Sequence, residues 1–318
     1  LPIYGLKRWA DAVESQDCRL IGQIQDPGRG RHHPGRTPDA IGASALPDDL
    51  SWTVPHALTR DELAIMIGEI ADSARRVQRC GFSGVEISCG HGHLFHQFLS
   101  PWSNARDDEY GGSLEGRALF VSRMIEAIRA NCGSGFILGL KLPGDDGVRG
   151  GVDPAEAARI AKHLTAGGQV DYVCFAQGSH ARSLEMHIPD GNSPRATYMP
   201  LIAQLRKAIP GVPVVALGRI TDPAEAEGIL ARGEAELVGL GRPLVTDPAW
   251  LNKAVQGRAH DIRYCVSCNN CWGHTTIGNT MRCDNKPRVG LPDEVDWWAA
   301  RALPTRRVVV VGAGVAGL

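Results

Sequence analysis

Two apolar, strand-like runs close on the same dipeptide: Pro213-Val-Val-Ala-Leu-Gly218-Arg219 and Leu237-Val-Gly-Leu-Gly241-Arg242. In parallel α/β barrels an anion site is commonly built from the loops after the seventh and eighth strands. Glycine lets the backbone approach an anion there, and arginine neutralises it with a forked donor. Either dipeptide alone is compatible with an ordinary turn followed by a surface arginine. The pair tips the choice between an open doubly wound sheet and a barrel toward the barrel.

Upstream, apolar runs alternate with helix-period segments, the pattern of repeated βα units. Strands are predicted at 19–25, 84–89, 136–142, 170–176, 213–218 and 237–240. Helices are predicted at 114–131, 154–166, 199–208, 223–232 and 247–254, and Thr59-Arg-Asp-Glu62 is a capping box opening another that runs to about Cys80. Residues 1–14 have the pattern of an amphipathic helix, and 26–59, rich in Gly, Pro, Arg and His, has no period of its own. A loop of that length is more often functional than idle. With the last two strands counted as seventh and eighth, the expected fold is an α/β (β/α)8 TIM barrel lacking its first two strands, over residues 1–258.

A cysteine window follows: Cys265-Val-Ser-Cys268-Asn-Asn-Cys271, eleven residues, then Cys283. Converging thiolates suit an iron-sulfur cluster or a structural zinc. Two separate C-x2-C pairs would favour zinc, whereas three cysteines in one turn with a distant fourth suit a cubane cluster. The window and its linker are assigned to 259–304. Beyond it, Arg306-Arg-Val-Val-Val-Val-Gly312-Ala-Gly314-Val-Ala-Gly317 reads as a buried strand entering a glycine-rich turn, the start of a Rossmann-type dinucleotide-binding unit over 305–318.

The chain has 318 residues, 43% hydrophobic and 22% charged, and a net charge of −1. That balance argues against nucleic acid or an anionic membrane as partner. No apolar run approaches the roughly 18 residues of a membrane span. The remaining cysteines, Cys18, Cys80, Cys89, Cys132 and Cys174, are irregularly spaced and read as reduced thiols of a cytoplasmic protein.

Catalytic groups of a barrel gather at the carboxyl ends of its strands. The run Val85-Glu-Ile-Ser88-Cys89-Gly90-His91-Gly92-His93 brings two histidines there, and Gln177-Gly178-Ser179-His180 brings a third. Gln23 and Lys141 end two other predicted strands. Imidazole moves protons near neutral pH, while glutamine and lysine can hold the polar edge of a cofactor.

Gly84-Val-Glu-Ile, followed by Gln97-Phe-Leu-Ser-Pro-Trp-Ser-Asn-Ala-Arg-Asp-Asp-Glu-Tyr-Gly-Gly-Ser-Leu-Glu-Gly-Arg117, resembles the flavin-binding barrel of the old yellow enzyme superfamily. The cysteine window and glycine-rich strand narrow the resemblance to the multidomain branch with bacterial dienoyl-CoA reductase, trimethylamine dehydrogenase and N-demethylases. It implies FMN in the barrel, a [4Fe-4S] cluster on Cys265, Cys268, Cys271 and Cys283, and FAD or ADP with NAD(P)H in nucleotide-binding domains that begin where this chain ends.

The same resemblance implies that Gln23 holds the flavin pyrimidine and that Lys141 stands where arginine usually lies near flavin N1. Gly218, Arg219, Gly241 and Arg242 match the phosphate site, and Gly312, Gly314 and Gly317 the dinucleotide turn. His180 matches a histidine that acts with a tyrosine in the dienoyl-CoA reductase, and His93 occupies that tyrosine's position. His93 and His180 are expected to move the substrate proton, with His91 orienting. Ser88-x-x-His91 keeps half of the carbonyl clamp of the simple enone reductases, and Gly-His-Gly-His-Leu is more similar to the demethylating members.

The expected function is oxidation of an N-methyl amine or betaine by hydride transfer to FMN. The alternatives are NAD(P)H-dependent reduction of an enoyl- or dienoyl-CoA and a non-enzymatic, zinc-stabilised barrel scaffold. The expected partners are a small-molecule substrate and a second copy or an electron-transfer protein.

Overall fold

A computed structural model describes residues 3–30, 39–291, 294, 304 and 307–314, with the backbone alone at 180 and 181. Helix α1 (Ile3–Glu14) leads into β1 (Ile21–Ile24), and two short strands, β2 (Ile41–Gly42) and β3 (His56–Ala57), pair within the long loop. Then come α2 (Arg60–Arg79), β4 (Gly84–Ser88), α3 (Leu94–Leu99), α4 (Leu114–Cys132), β5 (Ile137–Asp145), α5 (Pro154–Thr165) and β6 (Tyr172–Gln177). The last units are α6 (Leu184–His187), α7 (Met199–Arg206), β7 (Val214–Ala216), α8 (Pro223–Ala231), β8 (Leu237–Val238), α9 (Arg242–Thr246), α10 (Trp250–Val255) and α11 (Asn270–Thr276).

Local chemistry starts these helices where the sequence predicts. Thr59 accepts from the Glu62 amide and Glu62 reaches back to the Thr59 N–H at 2.7 Å, closing the capping box of α2. Ser113, Asp153 and Asp222 cap α4, α5 and α8 with their side chains, each cap worth about 1 kcal/mol.

The sheet runs β1-β4-β5-β6-β7-β8, every neighbour parallel. Spatial order equals chain order, so there is no reversal of the kind that defines a doubly wound sheet, and the arrangement is that of a TIM-barrel wall. Among the described residues β1 and β8 stand at its two ends. Val85, Ile87, Leu138, Leu140, Val173 and Phe175 alternate onto the helix side and are fully buried, each worth about 1.5–3 kcal/mol. Gln23, Glu86, Lys141, Tyr172 and Cys174 alternate onto the other side, which holds the polar groups.

Three expectations change. Lys141 does not end its strand: β5 continues to Asp145 through a register shift between Pro143 and Asp145. The helix expected at 247–254 begins at Trp250, because the Asp247 carboxylate takes Ala249 N–H at 3.1 Å, Arg263 N–H at 2.9 Å and Lys253 Nζ at 2.7 Å. The strand expected at 307–311 is not formed; Val308, Val309, Val310 and Val311 are 76%, 87%, 62% and 94% exposed, with no strand beside them among the described residues. Gly312 and Gly314 are likewise away from any neighbour, and Gly317 lies outside the described residues. No helix among the described residues is long and apolar enough to cross a membrane.

Candidate active site

Gln23 on β1, Glu86 on β4, Lys141 on β5 and Tyr172 and Cys174 on β6 meet in one polar layer. Gln23 Nε2 donates to Glu86 Oε1 at 2.6 Å, and Lys141 Nζ lies 3.6 Å from the same oxygen. Glu86 Oε2 accepts from Tyr172 OH at 3.0 Å and Cys174 Sγ at 3.5 Å. Gly139 makes this possible, since a Cβ there would stand 2.1 Å from Tyr172 Cζ. Burial, reinforced by the Glu86 charge, raises both the phenol and the Cys174 thiol, so each keeps its proton and donates.

The loop after β4 turns through left-handed backbone at His91 (φ 60°) and Gly92 (φ 77°). His91 Nδ1 is 3.1 Å from the Gln177 carbonyl oxygen, and its ring stacks on His187 with centroids 3.6 Å apart. His93, at the N-cap of α3, is buried with its ring 6.4 Å from His91. A carbonyl can only accept, so His91 carries its proton on Nδ1 and keeps a lone pair on Nε2.

Burial first, then the neighbouring His187, Lys141 and His93, hold the His91 imidazole well below its usual pKa of 6.5. Folding therefore keeps it neutral. As pH falls below 6.5 the unfolded chain takes up that proton first, so stability that is full above this pH is lost toward the lowered folded value. His91→Asn is expected to flatten the acid side of a plot of Tm against pH. An acid limb identical to that of the wild type would show that His91 titrates normally.

His96 anchors this loop from behind. Its Nδ1 accepts the Gly92 N–H at 2.7 Å, leaving Nε2–H to donate to Asp146 Oδ1 at 2.8 Å, both side chains 1% exposed. Asp146 Oδ2 also takes Ser100 Oγ at 3.0 Å and Val152 N–H at 2.8 Å. Burial works to raise the Asp146 carboxyl, but the His96, Val152 and Ser100 donors outweigh it and leave it below its usual range. The Asp146 carbonyl accepts from Ser183 Oγ, which accepts the Ser179 N–H at 2.7 Å, so one network ties the loops after β4, β5 and β6 together. His180 opens the 3-10 turn His180–Ser183, and its side chain lies outside the described residues.

A pocket of about 340 Å³, partly open to solvent, is lined by His91, His187, Arg219, Gly241, Arg242 and Trp272 among others. Gly218 must be glycine: its φ is 100°, and a Cβ would press within 2.6 Å of the Tyr198 ring. Arg219 donates to the Ser193 carbonyl and to Ser267 Oγ at 3.3 Å; Arg242 donates to the Pro189 carbonyl at 2.8 Å and to Asn269 Oδ1. Among the described residues neither guanidinium is paired with a carboxylate, so both charges face the pocket uncancelled. Gln23 and Lys141 are not part of this lining; Lys141 Cγ stands 3.5 Å from a would-be Cβ on Gly90, next to His91.

Left-handed backbone at Ser267 (φ 58°) and Asn269 (φ 61°) wraps the cysteine turn. Cys265, Cys268, Cys271 and Cys283 all line one narrow pocket together with Arg242, Thr246 and Asn269. Among the described residues no three His, Cys, Asp or Glu groups approach closely enough to share a single metal ion. Trp272, beside Cys271 in sequence, brings its ring 6.1 Å from His187.

The model of the NADH:flavin oxidoreductase / NADH oxidase family matches residues 2–261. A metal reductase of Desulforamulus reducens is 33% identical over 99% of this chain and 47% of its own length. An N,N-dimethylglycine/sarcosine dehydrogenase of Chromohalobacter salexigens is 32% identical over 97% of this chain and 45% of its own. Among solved structures, a 2-naphthoyl-CoA reductase in complex with 2-naphthoyl-CoA superposes with a TM-score of 0.83 at 29% identity, over 91% of this chain and 46% of that one. The chain thus spans about half the length of the relatives it matches. With the family model covering most of its length and the barrel-like parallel sheet beneath it, the chain belongs to the NADH:flavin oxidoreductase / NADH oxidase family, the old yellow enzyme type of flavin-dependent oxidoreductases.

Proposed function

We propose that the protein is an FMN- and [4Fe-4S]-dependent oxidoreductase that oxidises an N-methylated amine or betaine. In this proposal the flavin barrel occupies 1–258, the cluster segment 259–304 and the start of a nucleotide-binding domain 305–318. Both groups fit the residues present. Two uncancelled arginines beside Gly218 and Gly241 suit a phosphate dianion, and Gln23 with Lys141 suits the pyrimidine edge of a flavin. Four cysteines that share a pocket without converging on one ion suit a cubane better than zinc, whose sulfurs sit at about 2.3 Å from one centre. That weakens the zinc-scaffold alternative.

When bound, FMN supplies a hydride acceptor and the cluster a one-electron store. The protein's own contribution is at the nitrogen. His91, neutral with its lone pair on Nε2, can accept a hydrogen bond from the N–H of an N-methylammonium group and orient it; held well below 6.5, it is too weak a base to carry off that proton, which leaves to solvent before the methyl carbon gives up hydride. The resulting iminium is hydrolysed by water. This tautomer carries the proposal: with Nδ1–H committed to Gln177, neutral His91 has no proton left to donate to a substrate carbonyl, as an enone clamp requires. His91 therefore keeps the orienting role expected of it, as a hydrogen-bond acceptor for the amine, with His93 and His180 as the proton-handling candidates.

The second reading, reduction of an enoyl- or dienoyl-CoA with NAD(P)H, is supported by the likeness to the 2-naphthoyl-CoA reductase. Anaerobic mixing of the full-length protein with N-methyl amines, betaines and enoyl-CoA esters separates the two. Amines are expected to bleach the flavin absorbance within the turnover time. Amines that leave the oxidised protein unchanged, with enoyl-CoA esters reoxidising the pre-reduced protein, would establish the second reading instead.

A further inference from the structure

We infer that Glu86 is a positioning residue that sets both the orientation of the Gln23 amide and the effective charge of Lys141 toward the cofactor. The inference rests on the FMN reading proposed above and deepens it. A glutamine amide has a donor end and an acceptor end, and the flip is decided by its partner. A carboxylate only accepts, so with Glu86 Oε1 at 2.6 Å the nitrogen end of Gln23 is committed and its oxygen faces away, an acceptor for an imide N–H such as that of a flavin pyrimidine.

The same oxygen, 3.6 Å from Lys141 Nζ, cancels part of that cation's field. Lys141 is 22% exposed and Glu86 12% at the side chain, so water screens the pair only in part. Glu86 cannot turn away from this duty. Its other oxygen is held by Tyr172 and Cys174, and the Tyr172 ring crosses to it through the gap at Gly139. Four side chains from three other strands of the sheet thus converge on a carboxylate that itself need not touch cofactor or substrate.

Two consequences follow from removing the charge and keeping the shape. In Glu86→Gln the neighbour of Gln23 becomes another amide, able to present either end, so Gln23 no longer has one favoured flip. Lys141 also loses its counter-charge and favours the anionic reduced flavin over the neutral oxidised one. Measured on the full-length protein, E86Q is expected to bind oxidised FMN about tenfold more weakly. The two-electron midpoint potential of the bound flavin rises, by about 30 mV for each tenfold change in the ratio of oxidised to reduced dissociation constants.

Glu86→Asp separates the roles: it retracts the carboxylate from Gln23 but keeps the charge in the layer. Its FMN affinity falls while the potential stays at the wild-type value. It also supplies the affinity comparison should E86Q fail to fold. A residue that only holds the barrel together would weaken both redox states equally and leave the potential unmoved in both variants. That outcome, with wild-type protein binding FMN normally, overturns the inference alone. A wild-type protein that takes up no FMN overturns the function proposed above and this inference with it.

Discussion

Cys268→Ala protein, purified anaerobically, is expected to lack iron and acid-labile sulfide completely while keeping its FMN. A cubane held by four thiolates is destabilised by the loss of one, and here all four cysteines line one pocket. Left-handed Ser267 and Asn269 flank Cys268, and the Ser267 N–H donates to Cys265 Sγ at 3.4 Å. In the site proposed above the flavin is held elsewhere, by the loops after β7 and β8 and by the interior layer. The link between the two is indirect, because Ser267 Oγ and Asn269 Oδ1 accept from Arg219 and Arg242. Loss of the cluster should therefore weaken FMN binding by a few-fold at most, about 1 kcal/mol or less for two neutral acceptors that water can replace. Iron analysis is the decisive measurement. Wild-type protein that carries zinc and no iron would remove the cluster, and electron storage with it.

Every strand of the main sheet was legible in the sequence, for one physical reason. Strands buried on the helix side by Val85, Ile87, Leu138, Leu140, Val173 and Phe175 write themselves as apolar runs, and side-chain caps at Thr59, Ser113, Asp153 and Asp222 mark where the intervening helices begin. The strand predicted at 307–311 has an equally apolar run and does not form. Apolar residues state a preference for a sheet, and pairing needs a neighbour. The shift of the last barrel helix to Trp250 was not legible either, since Asp247 is spent on Lys253 and Arg263, and the latter lies sixteen residues away.

The site was legible where the signal is a residue type at a strand end, and illegible where it is a contact across strands. His91, His93 and the two Gly-Arg pairs lie just beyond the ends of their strands and Gln23 one residue before the end of β1, whereas Lys141 lies inside β5. Glu86, the group that joins Gln23 to Lys141, passed as an ordinary residue of an alternating strand. A lone acid between buried Val85 and Ile87 was the available clue, because an inward-facing carboxylate needs partners. His187 had no such signal: it lies in a short helix after an irregular turn, and only the fold stacks it on His91. The His96–Asp146 pair spans fifty residues and joins α3 to the loop after β5, so neither side chain announces the other.

Arg242→Ala is expected to lose FMN far more than it loses stability. The guanidinium lines the main pocket opposite Arg219 and reaches the cysteine pocket as well. Its partners are the Pro189 carbonyl at 2.8 Å and Asn269 Oδ1, both neutral. Removing it costs the fold two hydrogen bonds at a half-exposed position, about 1 kcal/mol net once water takes them over, or a few degrees in Tm. Removing it costs a bound phosphate dianion one charge-assisted contact, about 1.5–3 kcal/mol, equivalent to roughly 10- to 150-fold in dissociation constant. Arg219→Ala should weaken binding to a similar degree, and the double variant should fall short of the sum, because the two cations act on one anion. Raising the salt concentration should narrow the gap between Arg242→Ala and wild type, since the pocket is partly open and screening weakens the Arg242 attraction that only the wild type has. If Arg242→Ala purifies with unchanged flavin content and unchanged affinity, the phosphate is held somewhere other than the two Gly-Arg turns, and the orientation of the cofactor over Gln23 and Lys141 has to be drawn again from that other end.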